Sequence, residues 1–270
     1  MKCAKFKKIE IKEGIFDNFI DATYIIHLVG NNRYEQCYKQ IYEFSITKKT
    51  FIYMNQGFKK CKKNLPKQLP QFDITHSFLS IFKHAKDNNY DNILILEDDF
   101  VYHENIKNKK NIKSIHKFIE NNKEIPLIYY LGTLPWLKFG LSDHKRLLIS
   151  TGNHACIYNK LSRELIEEQG LNMIDDWDVN LNFKTTINRY CFHKPLCYQY
   201  FPETDNQNNW WNPLGVADIF KKILKFNKLD KKLEPVYSNF YLFSEINFYV
   251  IIGLLILILY IGTERKKIKI

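Results

Sequence analysis

Short uninterrupted apolar runs alternate along this chain with stretches in which apolar residues recur every three to four positions, a pattern that predicts strands alternating with amphipathic helices. Ala22-Thr23-Tyr24-Ile25-Ile26-His27-Leu28-Val29 is the first strong strand, closed by the turn signal Gly30-Asn31-Asn32. A helix is expected over 34–46, and a second strand over Phe51-Ile52-Tyr53-Met54. From 74 to 88, Ile74, Phe78, Ile81, Phe82 and Ala85 fall on one helical face, with Asp73 or Thr75 available as a cap. That helix feeds into Ile93-Leu94-Ile95-Leu96, four aliphatic residues without alternation, which suits a strand covered on both faces. Strand, helix, strand, helix, strand implies a largely parallel sheet and an α/β fold.

The pattern changes after Val101. A lysine- and asparagine-rich segment of weak helical character reads as a surface excursion. Beyond it, Ile125 to Gly132 is a strand, and Leu147-Leu148-Ile149-Ser150 with His154-Ala155-Cys156-Ile157-Tyr158 reads as a hairpin. A helix over 161–169 closes at Gly170. Residues 190–200 are strand-like but carry Pro195, and Trp210-Trp211 reads as a core plug or an aromatic platform. At the front, residues 1–21 are an edge element or a partly mobile arm.

Candidate chemistry sits where the central apolar run stops, at Glu97-Asp98-Asp99. Ligands of α/β sheets gather at the carboxyl ends of strands. Side chains alternate along a strand, so Glu97 and Asp99 share one face, where two oxygens could meet one hard cation, while Asp98 points the other way. A second acidic cluster, Met173-Ile174-Asp175-Asp176-Trp177-Asp178, can meet the first in one pocket, or can decorate a helix N-terminus. Arg33, just past the first strand, is a candidate to contact a nucleotide or its phosphates.

With 270 residues and 45% hydrophobic content, the chain can bury a core and hold a concave site. Its net charge of +11 comes from scattered lysines rather than one basic arm, so no nucleic-acid partner is expected. Six cysteines form no C-x-x-C pair, which fits reduced thiols in a cytosolic setting. Residues 246–262 are continuously apolar and end in the basic Arg265-Lys266-Lys267, the pattern of a single-pass C-terminal membrane helix. The expected organisation is an arm (1–21), a catalytic domain (22–215), a basic juxtamembrane segment (216–245), the membrane helix (246–262) and a basic tail (263–270). The catalytic domain is expected on the cytosolic side.

Taken in order, several short strings resemble the family 25 glycosyltransferases, which include lipooligosaccharide and collagen galactosyltransferases. Tyr24-Ile25-Ile26-His27-Leu28 with Arg33 is similar to the family's first strand, with His27 where asparagine is usual. Thr75-His76, Ile93 to Asp99, Leu131-Gly132, His154-Ala155-Cys156, Ile174-Asp175, and Pro195 with Gln199 resemble its later motifs. The resemblance implies a GT-A fold and an inverting transfer of a sugar, galactose or glucose, from a nucleotide-sugar donor such as a UDP-sugar to a hydroxyl acceptor. It further implies Mn²⁺ or Mg²⁺ at Glu97 and Asp99, donor contacts from His27, Arg33, Thr75, His76 and Asp98, and a base at Asp175 or Asp176. The acceptor would be a glycan, a protein or a lipid-linked species. The alternative is a catalytically silent relative of that fold, acting as a binding module at a membrane surface.

Overall fold

In the computed structural model the apolar runs assemble into one seven-stranded mixed sheet with helices on both faces, followed by a long C-terminal apolar helix. Residues 3–170, 176–200 and 232–267 are described, with scattered positions between 215 and 229. The strands of this sheet are β1 (Ala4–Glu10), β2 (Ala22–Leu28), β3 (Lys49–Asn55), β4 (Asn92–Glu97), β6 (Leu127–Phe139), β7 (His144–Asn159) and β8 (Asn188–Phe192). Their order is β1-β3-β2-β4-β7-β6-β8. β2, β3 and β4 run parallel, as expected from the helical crossovers α1 (Tyr34–Phe44) and α2 (Pro70–Asp87). β1 and β7 run against their neighbours, so the sheet is mixed. A two-stranded ribbon of β5 (Phe100–Tyr102) and β9 (Cys197–Gln199) sits beyond the end of β4.

Alternation along β4 feeds two cores. Ile93 and Ile95 pack with Phe78, Ile81 and Phe82 of α2. Leu94 and Leu96 pack with Ile41 and Phe44 of α1, and with Ile115 and Ile119 of α3 (Lys109–Asn121). The uninterrupted run therefore marks a strand buried on both faces.

Several elements differ from the sequence expectation for local reasons. α2 begins at Pro70, which occupies the first turn with its missing N–H, rather than near Ile74. The segment after Val101 contains a full amphipathic helix, α3, capped by Asn108. The expected hairpin within 147–158 is one continuous strand, β7. Its hairpin partner is β6, and Gly152 at φ +78° lets the strand continue through a distortion. Pro195 divides 190–200 into β8 and β9, which belong to different sheets. The N-terminal arm is an edge strand, and Phe16, Phe19 and Ile20 behind it are buried.

The expectation of six reduced thiols is corrected. Cys3 and Cys61 form a disulfide with Cα atoms 5.5 Å apart and a sequence separation of 58. Antiparallel pairing of β1 on β3 brings Cys3 to the loop that follows β3, a juxtaposition no local spacing reveals. Cys37, Cys156, Cys191 and Cys197 are free and buried.

After α4 (Lys160–Glu167) and α5 (Trp177–Phe183) the last described element is α6 (Val236–Lys267). It starts about ten residues before the expected span. Tyr237 and Tyr241 are buried against the sheet, Trp136 meets Phe240, and Phe139 stacks on Phe248. Glu245 pairs with Lys145 at 2.8 Å and Lys138 at 3.5 Å. From Tyr249 to Ile261 the helix is exposed and apolar, and Val236–Ile261 is long and apolar enough to cross a membrane. Trp210 and Trp211 lie outside the described residues.

Candidate active site

Parity on β4 sends Glu97 toward the α2 side and Asp98 toward the α1 side. Ile25 of β2 also faces α1, so His27, two residues on, meets Asp98. Asp98 Oδ2 accepts from His27 Nδ1 at 2.9 Å, Asn31 Nδ2 at 2.6 Å and Leu28 N at 3.2 Å, and Oδ1 faces Arg33 Nε at 2.9 Å. This carboxylate ties the loop after β2 to the end of β4. His27, at the place where the resemblance expects asparagine, is tied to Asp98.

Arg33 spans two acids, because its Nη1 donates to Asp99 Oδ2 at 3.2 Å. The other Asp99 oxygen accepts from Gln199 Nε2 at 3.1 Å, and the same amide lies 3.4 Å from Glu97 Oε2. Gln199 thus bridges Glu97 and Asp99. α6 holds this end of β9 through Tyr237, whose hydroxyl accepts from Gln199 N at 2.9 Å.

The second acidic cluster joins this site through a residue the sequence reading did not select. Asp176 is the N-cap of α5 and accepts from Asp178 N and Val179 N, so it serves the helix end. Asp175 lies outside the described residues. Asp178 accepts from Gly152 N and Asn153 Nδ2, and its charge is felt at Glu97. Its position two residues past a capping aspartate was the available signal, since a cap spends its own side chain on the helix.

Burial and crowding raise these carboxyls. Glu97 stands well above the usual carboxylate range through burial first, then through the charges of Asp99, Asp178 and Asp98. Asp99 is pushed up to about 7 by burial, with Arg33 opposing. Asp178 also rises to about 7, by burial and then by Asp176. Groups gathered in this way are characteristic of functional sites.

Facing them, His154 is fully buried, and its pKa is driven down to about 4 by burial. Its Nε2 lies 3.3 Å from Cys197 O, which assigns the proton there and leaves Nδ1 as an acceptor. Among the described residues neither Nδ1 nor Gln199 Oε1, both buried, has a hydrogen bond of good geometry, and the two side chains are close enough for Gln199 to oppose the fall in the His154 pKa. A Cβ at Gly152 would come within 3.3 Å of the first and 3.4 Å of the second, so two acceptors converge on one small space. Gly132 is required nearby, because a Cβ there would strike Cys197 O and His154 Nε2. The structure thus brings together Glu97, Asp99, Gly132, His154, Asp178 and Gln199 from across the chain.

Thr75 and His76 do not join them. Thr75 donates to Gln71 O within α2 at 2.8 Å, and His76 lines a separate cavity of about 390 Å³ with Tyr53, Lys63 and Ser80. The early start of α2 accounts for this, since both residues lie in its second turn.

Glu97, Asp99 and the free oxygen of Gln199 are hard donors of the type that suits Mg²⁺ or Mn²⁺. Among the described residues no group of three or more His, Cys, Asp or Glu is arranged to hold a metal. A cation retained by one or two carboxylates plus substrate phosphates is compatible with that donor set.

No protein-family model matches this chain. No curated protein matches it by sequence. Among solved structures the chain is similar to a glycosyltransferase involved in the glycosylation of the major capsid of PBCV-1. That match has TM-score 0.40 and 10% identity, covering 70% of this chain and 96% of that one. It is also similar to A197 from STIV, with TM-score 0.40 and 14% identity, covering 68% of this chain and 86% of that one.

Proposed function

We propose that the chain is a metal-dependent glycosyltransferase of GT-A type, moving a sugar from a nucleotide-sugar donor to a hydroxyl acceptor with inversion. The observation that carries this reading is the convergence of Glu97, Asp99 and Asp178 at the carboxyl end of the central strand, with Arg33 across from them. Three crowded acids beside one arginine suit a site that handles a diphosphate through a cation. Glu97 and Asp99 would hold Mn²⁺ or Mg²⁺, which when bound supplies positive charge against the leaving nucleoside diphosphate. Arg33 would turn from Asp98 and Asp99 to the phosphates. Asp98, held by His27 and Asn31, fixes the shape of the loop that faces the nucleotide.

The base for the acceptor hydroxyl would be a carboxylate of the second cluster. Asp178, raised to about 7, has the proton affinity that role needs near neutrality. Asp175 is its competitor from the resemblance. His154 Nδ1 and Gln199 Oε1, without a hydrogen-bond partner among the described residues, would receive a sugar hydroxyl.

The apolar end of α6 would anchor the enzyme in a membrane. The Cys3–Cys61 disulfide removes the thiol argument for a cytosolic placement. The disulfide and the basic Arg265-Lys266-Lys267 together favour an oxidising compartment for the domain.

The test uses the full chain in detergent, with thermal shift and donor hydrolysis measured for UDP- and GDP-sugars with and without Mn²⁺. Stabilisation and slow cleavage of one donor, both lost in Asp99→Ala, are the expected result. If no nucleotide sugar binds with metal present, the silent binding module takes its place.

A further inference from the structure

The turn after β2 and the loop after β3 meet at the carboxyl edge of the sheet. β3 lies beside β2, which lies beside β4. From β2 the chain passes to α1, and from β4 to α3, on one face of the sheet, whereas from β3 it passes to α2 on the other. The carboxyl ends of β2 and β3 therefore form a topological switch point, where α/β sheets open the crevice that takes a ligand. Asp98, at the end of β4, is tied to the β2 side of that crevice through Leu28 N and Asn31 Nδ2. Acids and crevice thus share one turn, residues 28–31, in which Asn31 N donates to Leu28 O at 3.2 Å.

On the β3 side, residues 56–63 are fixed at several points. Gln56 N donates to Cys3 O at 3.0 Å, Gly57 N to Asn55 Oδ1 at 2.8 Å, and Phe58 N to Asp73 Oδ2 at 3.0 Å. Cys61 is bonded to Cys3, and the buried Lys63 pairs with Asp73 and Asn55. Gly57, at φ +74°, packs so closely on Leu28 that a Cβ would come within 2.9 Å of Leu28 Cδ1. The Lys60 side chain takes no part in this framework. It reaches the turn after β2 instead, where a Cβ at Gly30 (φ +96°) would stand 2.9 Å from Lys60 Nζ. Among the described residues this exposed lysine pairs with no carboxylate.

We infer that Lys60 is a second cation of the site and contacts a phosphate of the diphosphate ligand beside Arg33. The inference rests on the transferase reading for the identity of that ligand as a nucleotide-sugar donor, but the phosphate contact itself does not. Arg33 already faces Asp98 Oδ1 and Asp99 Oδ2, so a phosphate must draw it away from two carboxylates. Lys60 carries a charge that no described acid answers, on a loop fixed independently of it, over a glycine whose missing side chain leaves Nζ room to approach. An anion there gains a charge-assisted hydrogen bond without breaking an ion pair. The charge selects the class of ligand, since a neutral nucleoside or sugar forfeits most of that attraction.

Calorimetric titration of the full chain in detergent with pyrophosphate, UDP, GDP and uridine, each with Mg²⁺, tests this. Lys60→Gln keeps the side-chain stem and removes the charge, and Lys62→Gln removes the same charge from an exposed neighbour on the same loop. Lys60→Gln is expected to weaken pyrophosphate, and whichever nucleoside diphosphate binds, by about 10-fold, the effect of one hydrogen bond to a charged group. Lys60→Arg is expected to restore most of that loss, and Lys62→Gln to match the unaltered chain. No loss in Lys60→Gln, an equal loss in Lys62→Gln, or an equal loss for uridine overturns the proposal. Donor hydrolysis in the same preparation separates the two readings. Hydrolysis of a nucleotide sugar with KM unchanged in Lys60→Gln removes the Lys60 contact alone. Pyrophosphate binding that depends on Lys60, without hydrolysis of any nucleotide sugar, keeps the contact and removes the transferase, and a chain that binds no diphosphate removes both.

Discussion

The side-chain amide of Gln199 donates to Asp99 Oδ1 at 3.1 Å across 100 residues of sequence. This contact joins the ribbon that leads toward α6 to the acid end of the central strand. Gln199→Leu keeps the approximate volume and removes both polar ends, leaving Asp99 and Glu97 facing each other without the bridge. Donor hydrolysis is expected to fall at least about 100-fold while the fold loses only about 1–3 kcal/mol. Paired kinetics and chemical denaturation check the split; equal behaviour of variant and unaltered chain in hydrolysis would remove Gln199 from the site.

The raised carboxyls make stability depend on pH with a definite sign. Asp99 and Asp178 sit at about 7 in the folded chain and near 4 when unfolded, so between those values the folded state holds more protons. Stability is then greatest at the acid end of this window, falls as pH rises from about 4 to about 7, and levels above it. Glu97→Gln removes one of the crowded charges. It is expected to flatten this fall and raise the melting temperature at pH 8 by about 2–4 °C, the response of a domain this size to about 1 kcal/mol, while abolishing hydrolysis. Added Mn²⁺ is expected to raise the unaltered chain's melting point at pH 8 and to have little effect on the variant.

The Cys3–Cys61 bond leaves a countable signature. Alkylation of the denatured, unreduced chain is expected to modify the four buried thiols Cys37, Cys156, Cys191 and Cys197, and prior reduction to release two more. Cys3→Ser is expected to lower stability by about 2–4 kcal/mol, because the bond closes a long loop. Six reactive thiols in protein taken from its native membrane would return the domain to a reducing compartment.

Truncation distinguishes the two halves of α6. A chain ending at residue 248 keeps Tyr237, Tyr241 and the Glu245 ion pairs, and is expected to be soluble with an unchanged denaturation midpoint. A chain ending at residue 235 loses two fully packed tyrosines from the core and is expected to be destabilised by more than about 3 kcal/mol or to fail to fold. If the shorter chain matches the longer one, α6 is only a tether and the coupling of Tyr237 to Gln199 has no energetic weight.

What the sequence determined by itself is local. Uninterrupted aliphatic residues at 93–96 meant a strand buried on both faces, period-two alternation separated Glu97 from Asp98, and helical spacing located α1 and α2, because each depends on neighbours within a few residues. The apolarity of 246–261 was equally plain. Tertiary structure decided the rest. Antiparallel β7 threads between β4 and β6, and no local pattern records strand order. Asp178 rather than Asp176 reaches the acids because α5 begins at Asp176 and uses that side chain as its cap. Cys3 meets Cys61 only because β1 folds back on β3, and Thr75 turns into α2 because Pro70 starts that helix early. Gln199 meets Asp99 only when the chain between them has returned through β7 and β8. Periodicity is set by the geometry of one element, whereas a site is assembled by contacts between elements, and its spacing in sequence is free to vary.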